Sequence, residues 1–144
     1  FLRGDTKAVG ELIAGVREVV EGRTLKVILE TGAPGDAATI ERAARLAIDG
    51  GADFVKTSTG KSRVSATPEA AEAILGAIRA SERPVGLKVS GGIRTLEDAR
   101  GYLELVDRIM GRGWATPQSF RIGASGLHGE LVAAIEGPAR PGAL

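Results

Sequence analysis

Two lysines stand out by what surrounds them. Lys56 ends the run Ala52-Asp53-Phe54-Val55, and Lys88 sits inside Val85-Gly86-Leu87-Lys88-Val89-Ser90. Each is followed within a few residues by hydroxyl side chains and a glycine. An unprotonated primary amine adds to a carbonyl and forms an imine, an electron sink that needs no metal and no diffusible cofactor. The obstacle is charge. A free lysine titrates near ~10.4, so fewer than about one in a thousand is an amine at pH 7. A neighbouring cation and partial burial both disfavour the ammonium form. A thousandfold gain in the amine fraction takes roughly 4 kcal/mol, which two adjacent ammonium groups in a low-dielectric site can supply. One lysine then attacks a carbonyl while its neighbour stays protonated and supports it. The chain has five lysines and fourteen arginines. Arginine keeps its proton, so the candidate amines are Lys7, Lys26, Lys56, Lys61 and Lys88.

The same pattern admits a plainer reading. Side chains alternate faces along a strand. One face reads Val27, Leu29, Val55, Val85, Leu87, Val89, Phe120 and Ile122, all apolar, and packs on helices. The other reads Lys26, Ile28 and Glu30, then Phe54, Lys56 and Ser58, then Gly86, Lys88 and Ser90, then Arg121, Gly123 and Ser125. Charges facing an interior need partners. Glu30 in an ion-pair network with Lys26, Lys56, Lys88 or Arg121 would satisfy them without any catalysis.

Three glycine-bearing segments follow the strands that hold these residues: Thr57-Ser58-Thr59-Gly60-Lys61, Ser90-Gly91-Gly92 and Gly123-Ala124-Ser125-Gly126. Glycine lets a backbone approach a ligand closely, and free N–H groups at a helix start attract anions. Lys61 adds a point charge. Each glycine alone suits an ordinary turn; the three at one end of the strands point to a phosphate site. His128, Trp114 and Tyr102 read as surface or packing residues, and the helix arginines as solvated faces.

The elements that must position these residues alternate. Asp5 caps a helix to about Val20, with a stripe of Val9, Leu12, Ile13, Val16 and Val19. Strands are expected over Leu25 to Thr31, Ala52 to Ser58, Pro84 to Ser90 and Ser119 to Ala124. Between them come a helix capped by Asp36 and stopped at Gly50-Gly51, one opened by Thr67-Pro68, and one opened by a Thr95/Asp98 capping box and closed near Gly111. The first of these turns Ile40, Ala44, Ala47 and Ile48 inward, the second has Ile74, Leu75 and Ile78 on one face, and the third carries Ala99, Tyr102, Leu103, Val106 and Ile109. A last helix carries Leu127, Leu131 and Ile135, and residues 137–144 read as a flexible tail. Parallel βα units follow from this alternation. Four strands and about five helices make a little over half of a (β/α)₈ barrel of about 250 residues. The pattern fits strands five to eight, with a small open four-stranded sheet as the alternative. In a barrel, chemistry sits at the C-terminal ends of the strands, with phosphate on the loops after strands seven and eight.

Composition narrows the classes. The 144 residues are 43% hydrophobic and 26% charged with a net charge of +1, which offers no basic field for nucleic acid. The absence of cysteine rules out disulfides and thiolate metal sites, and a single histidine argues against a His-rich metal centre. No apolar run approaches the roughly 20 residues of a membrane span. The expected location is the cytoplasm, with no membrane partner, no metal and no cofactor.

On these residues the chain resembles the deoxyribose-phosphate aldolases. The segment Gly51-Ala52-Asp53-Phe54-Val55-Lys56-Thr57-Ser58-Thr59-Gly60 is similar to their Schiff-base strand. Leu25 to Gly32, Val85 to Thr95 and Phe120 to Ser125 are similar to its neighbours. The resemblance runs from about Phe1 to Glu136, taken as one C-terminal half-barrel, 1–136. It implies a lyase that reversibly cleaves 2-deoxy-D-ribose 5-phosphate, with Lys56 forming the Schiff base and Lys88 as the second lysine. Thr59, Gly60, Lys61, Gly91, Gly92 and Ser125 would contribute to the phosphate pocket. Gly126 stands where relatives often have a second serine, so there one phosphate hydrogen bond would be lost or made by a backbone N–H instead. The family's catalytic aspartate falls on a strand upstream of Phe1. The expected partners are therefore a phosphorylated sugar and either further copies of the chain or an N-terminal half-barrel. The competing expectation is a non-catalytic half-barrel that self-associates, or a different lysine-imine aldolase.

Overall fold

In a computed structural model, which describes residues 1–137, the chain alternates helix and strand throughout. The order is α1 (Thr6–Val19), β1 (Lys26–Ile28), α2 (Ala37–Asp49), β2 (Phe54–Lys56), α3 (Pro68–Arg79), β3 (Gly86–Ser90), α4 (Leu96–Met110), β4 (Phe120–Gly123) and α5 (Leu127–Glu136). The strands form one parallel sheet in the order β1-β2-β3-β4. The expected tail, apart from Gly137 at the end of α5, lies outside the described residues.

Helix starts are set locally. The carboxylates of Asp5 and Asp36 accept from the N–H groups of Ala8 and Thr39 at 3.0 and 2.8 Å. Thr67 accepts from Ala70 N–H ahead of Pro68, and Thr95 with Asp98 closes a reciprocal capping box. Each satisfies a donor that the helix leaves orphaned. Gly126 caps α5 with no side-chain bond.

Packing is one-sided. Val55, Leu87 and Val89 lie fully buried against Ile74 and Leu75 of α3, with Phe120, Val27, Leu29 and Ile122 on the same face. The apolar parity read from the strands is therefore the helix-facing side. α3 buries Ile74, Leu75 and Ile78, whereas α1 buries no residue fully. Its expected stripe is only partly used. Ile13 packs where a Cβ on Gly50 would stand 2.6 Å from its methyl group, so Gly50 permits the α1–α2 contact as well as ending α2. Leu12, Val16 and Val19 are exposed instead, at 68%, 40% and 86%, because among the described residues no element covers that side of α1. Leu103 on α4, and Leu131 and Ile135 on α5, are likewise exposed.

The strands are shorter than expected, β3 at its start only, and backbone bonds such as Thr31 N–H to the Thr57 carbonyl continue past the C-terminal ends of β1 and β2. At the opposite end, Asp53 holds α1 and the sheet together. It accepts from Arg17 and from Leu25 N–H, both at 2.8 Å, and Arg83 lies 3.9 Å away. A cavity of ≈ 640 Å³ opens there around Arg17, Glu21, Arg23 and Asp53. Arg17 also donates to the carbonyls of Val20 and Arg23, so its charge is already engaged.

Candidate active site

The site grows out of the sheet's register. Ile28 pairs with Lys56, Lys56 with Lys88, and Lys88 with Arg121, so these four side chains form one row on the face turned away from the helices. Both lysines are half-buried. Lys88 occupies the middle, with Lys56 on one side and Arg121 on the other. Its ammonium is held below the usual lysine value, first by burial and then by the charges of Lys26, Lys56 and Arg121. Lys88 thus has cations on both flanks of its place in the row.

Two glycines make room for this row. A Cβ at Gly123 would stand 2.8 Å from Lys88 Cε and equally close to Ser90 Oγ. A Cβ at Gly86 would collide with the ring of Phe54. Phe54 fills that space and is buried, and the Arg121 guanidinium lies 4.2 Å above its centroid, a cation–π contact. Arg121 also donates from Nε to the Pro117 carbonyl at 3.1 Å.

Beside the row, a cleft of ≈ 600 Å³ opens at the C-terminal ends of the strands. Thr59, Gly60, Gly91, Gly92, Ser125 and Gly126 all line it. Gly60, Gly91 and Gly92 have φ of +82°, +91° and +81°, a region costly for other residues. The sequence reading missed Arg94, which also lines this cleft. Its signal was a cation two positions past a diglycine. Among the described residues no three His, Asp or Glu side chains gather as a metal site.

Three residues singled out in the sequence stand apart from the cleft. Thr57 is fully buried, not a wall of the cleft. Its Oγ1 accepts from Ser90 N–H at 3.0 Å and reaches the Ser90 carbonyl at 3.3 Å, locking β2 to β3. Lys61 is exposed and lies outside the residues lining the cleft. Glu30 makes no ion pair with Lys26, Lys56, Lys88 or Arg121 among the described residues. Its carboxylate is taken by Thr59 and Ser62, which hold it below the ordinary carboxylate range, with the Lys56 charge contributing last.

This geometry has close counterparts. The chain is 51% identical to a deoxyribose-phosphate aldolase of Agrobacterium fabrum over 95% of its own length and 53% of that protein's. A Toxoplasma gondii structure, provisionally assigned as a deoxyribose-phosphate aldolase, superposes with a TM-score of 0.81 at 29% identity, covering 91% of this chain and 52% of that one. The deoxyribose phosphate aldolase of Aeropyrum pernix, described as tetrameric, superposes with a TM-score of 0.66 at 26% identity, covering 90% and 50%. The chain therefore spans about half the length of these relatives, and its four βα units are half of a (β/α)₈ barrel. With the DeoC/LacD family aldolase model matching residues 4–125, the stretch that contains both lysines and nearly all of the glycine cleft, this chain belongs to that aldolase family.

Proposed function

We propose that the chain is the imine-forming half of a deoxyribose-phosphate aldolase, which reversibly cleaves 2-deoxy-D-ribose 5-phosphate to acetaldehyde and D-glyceraldehyde 3-phosphate. The observation that carries the reading is the shared register row of Lys56 and Lys88, next to a glycine-lined cleft of phosphate-binding character. The 51% identity to a relative named for this activity supports it.

In this reading Lys56 Nζ adds as the free amine to C1 of the open-chain sugar, and loss of water leaves the imine. A base takes the proton of the C3 hydroxyl. The C2–C3 bond breaks, C3 becomes the aldehyde of glyceraldehyde 3-phosphate, and the bonding pair is taken up by the iminium as an enamine. Protonation at C2 and hydrolysis then release acetaldehyde and restore the amine. Lys88 lowers the cost of losing a proton from the pair, since a pair short of one proton can carry its neutral amine on either lysine. The glycine N–H groups at Gly60, Gly91, Gly92 and Gly126, with the hydroxyls of Thr59 and Ser125, bind the phosphate. Arg94 and Lys61 add charge nearby. The carboxylate that moves protons comes, by the family resemblance, from a strand that pairs with this half. Assembly with such a half or with further copies belongs to the same reading, as does a cytoplasmic setting. The substrate class is tested by borohydride reduction with 2-deoxy-D-ribose 5-phosphate and, separately, with a ketose phosphate. Faster trapping of the deoxyribose phosphate supports the reading; preference for the ketose contradicts it.

A further inference from the structure

We infer that Glu30 is a positioning residue whose carboxylate holds the Thr59–Ser62 loop in the shape that presents Thr59 and Gly60 to the anion cleft. The inference rests on the proposed function only for the ligand class, a phosphate group.

Glu30 follows β1 and is the only non-glycine residue with a positive φ among the described residues, at +52°. That left-handed backbone disfavours a residue with a Cβ, so the surroundings must hold it there. What holds it is the next loop. Thr59 N–H donates to both carboxylate oxygens at 3.2 and 3.3 Å, and Thr59 Oγ1 donates to Oε2 at 2.6 Å. Ser62 Oγ lies 2.7 Å from Oε1 and 2.8 Å from the Val64 carbonyl. Its single proton serves one of them, and the charged acceptor is the stronger.

The clamp continues into the cleft wall. A Cβ on Gly32 would stand 3.1 Å from Val64 Cβ, so the β1 loop lies directly under the β2 loop. A Cβ on Gly91 would stand 2.6 Å from Ser65 and 3.0 Å from Gly60 Cα, so the β2 loop in turn supports the β3 loop. Glu30 is absent from the cleft lining, yet Thr59, which it holds, Gly60, the next residue, and Gly91, which abuts Gly60, all line it. A carboxylate beside a phosphate site opposes the ligand's charge. Its presence there is explained by the donors it organises.

This opposition supplies the test. Inorganic phosphate binding to the full chain is measured by NMR titration for the parent, Glu30→Gln and Glu30→Ala, with borohydride trapping of acetaldehyde run in parallel. If the carboxylate acted only through its charge, its removal would tighten phosphate binding. The expected result is the reverse sign: weakening of about tenfold for Glu30→Ala and less for Glu30→Gln, which keeps one acceptor. Trapping in both variants stays within about twofold of the parent, a split that general loosening of the fold would not give. Unchanged or tighter phosphate binding in Glu30→Gln, or no phosphate binding by the parent, overturns the inference. Failure of the parent to trap acetaldehyde while phosphate binding follows the expected order sinks the proposed function and leaves the Glu30 assignment standing.

Discussion

At the scale of residues, the pair Lys56 and Lys88 turns on how charge is distributed along one row of the sheet. Lys88 sits between Lys56 and Arg121 with its ammonium disfavoured. The stability consequence has a definite sign. A lysine depressed in the fold sheds its proton while the unfolded chain still binds one. The fold therefore gains stability as pH rises through the folded value of Lys88, up to the ordinary 10.5. Lys88→Leu should flatten that rise in urea denaturation curves taken across alkaline pH, and should slow imine formation most near neutral pH. A parental pH–rate profile in Lys88→Leu would count against the electrostatic pairing. Glu30 gives the same sign of pH dependence in the acid range. Its depressed carboxyl contributes stability above the ordinary value of 4.5, and that is lost as pH falls through the lower folded value. The lysines were legible in the sequence because strand parity fixes which face they share. The hydrogen bonds of Glu30 were not, because they depend on a left-handed turn and on the path of a loop twenty-nine residues away in sequence.

At the scale of elements, local signals were read correctly and non-local ones were not. Asp5, Asp36, Thr67 and Thr95 start helices by bonding N–H groups three residues on, which sequence alone displays. The exposure of Leu12 and Val19 on α1 depends on what lies against that helix, which no periodicity reveals. Thr57 shows the same limit. Its type and place after the lysine suit a ligand, but its hydroxyl is spent joining β2 to β3, with Ser58 Oγ donating to the same Ser90 carbonyl at 2.5 Å. Thr57→Val keeps the volume and removes the bonds to Ser90. It should destabilise the fold by about 1–3 kcal/mol in urea melts, as expected for an uncompensated buried polar group. Loss of phosphate binding at full stability would instead return Thr57 to the cleft.

At the scale of the whole molecule, the sheet is open. Among the described residues β1 and β4 each pair on one side only, and unpaired strand edges invite association. Ile28 on β1 is 44% exposed, and Leu12 and Val19 of α1 are exposed at 68% and 86%. The purified 144-residue chain should sediment as a dimer or larger species, and Leu12→Lys with Val19→Lys should shift it toward monomer. A monodisperse monomer for the parent at high concentration would show that this apolar flank needs no cover. The parallel βα class was readable from the alternation of elements, but the choice between a half-barrel and a small open sheet was not, since both show the same alternation; the family resemblance carried it.

The most direct measurement of the central claim is borohydride reduction of the folded chain with acetaldehyde at neutral pH, followed by peptide mass mapping. A single reduced ethyl adduct on Lys56, lost in Lys56→Ala, is the predicted result. A folded chain that yields no adduct, or one modified equally on exposed Lys7 and Lys61, would contradict the account.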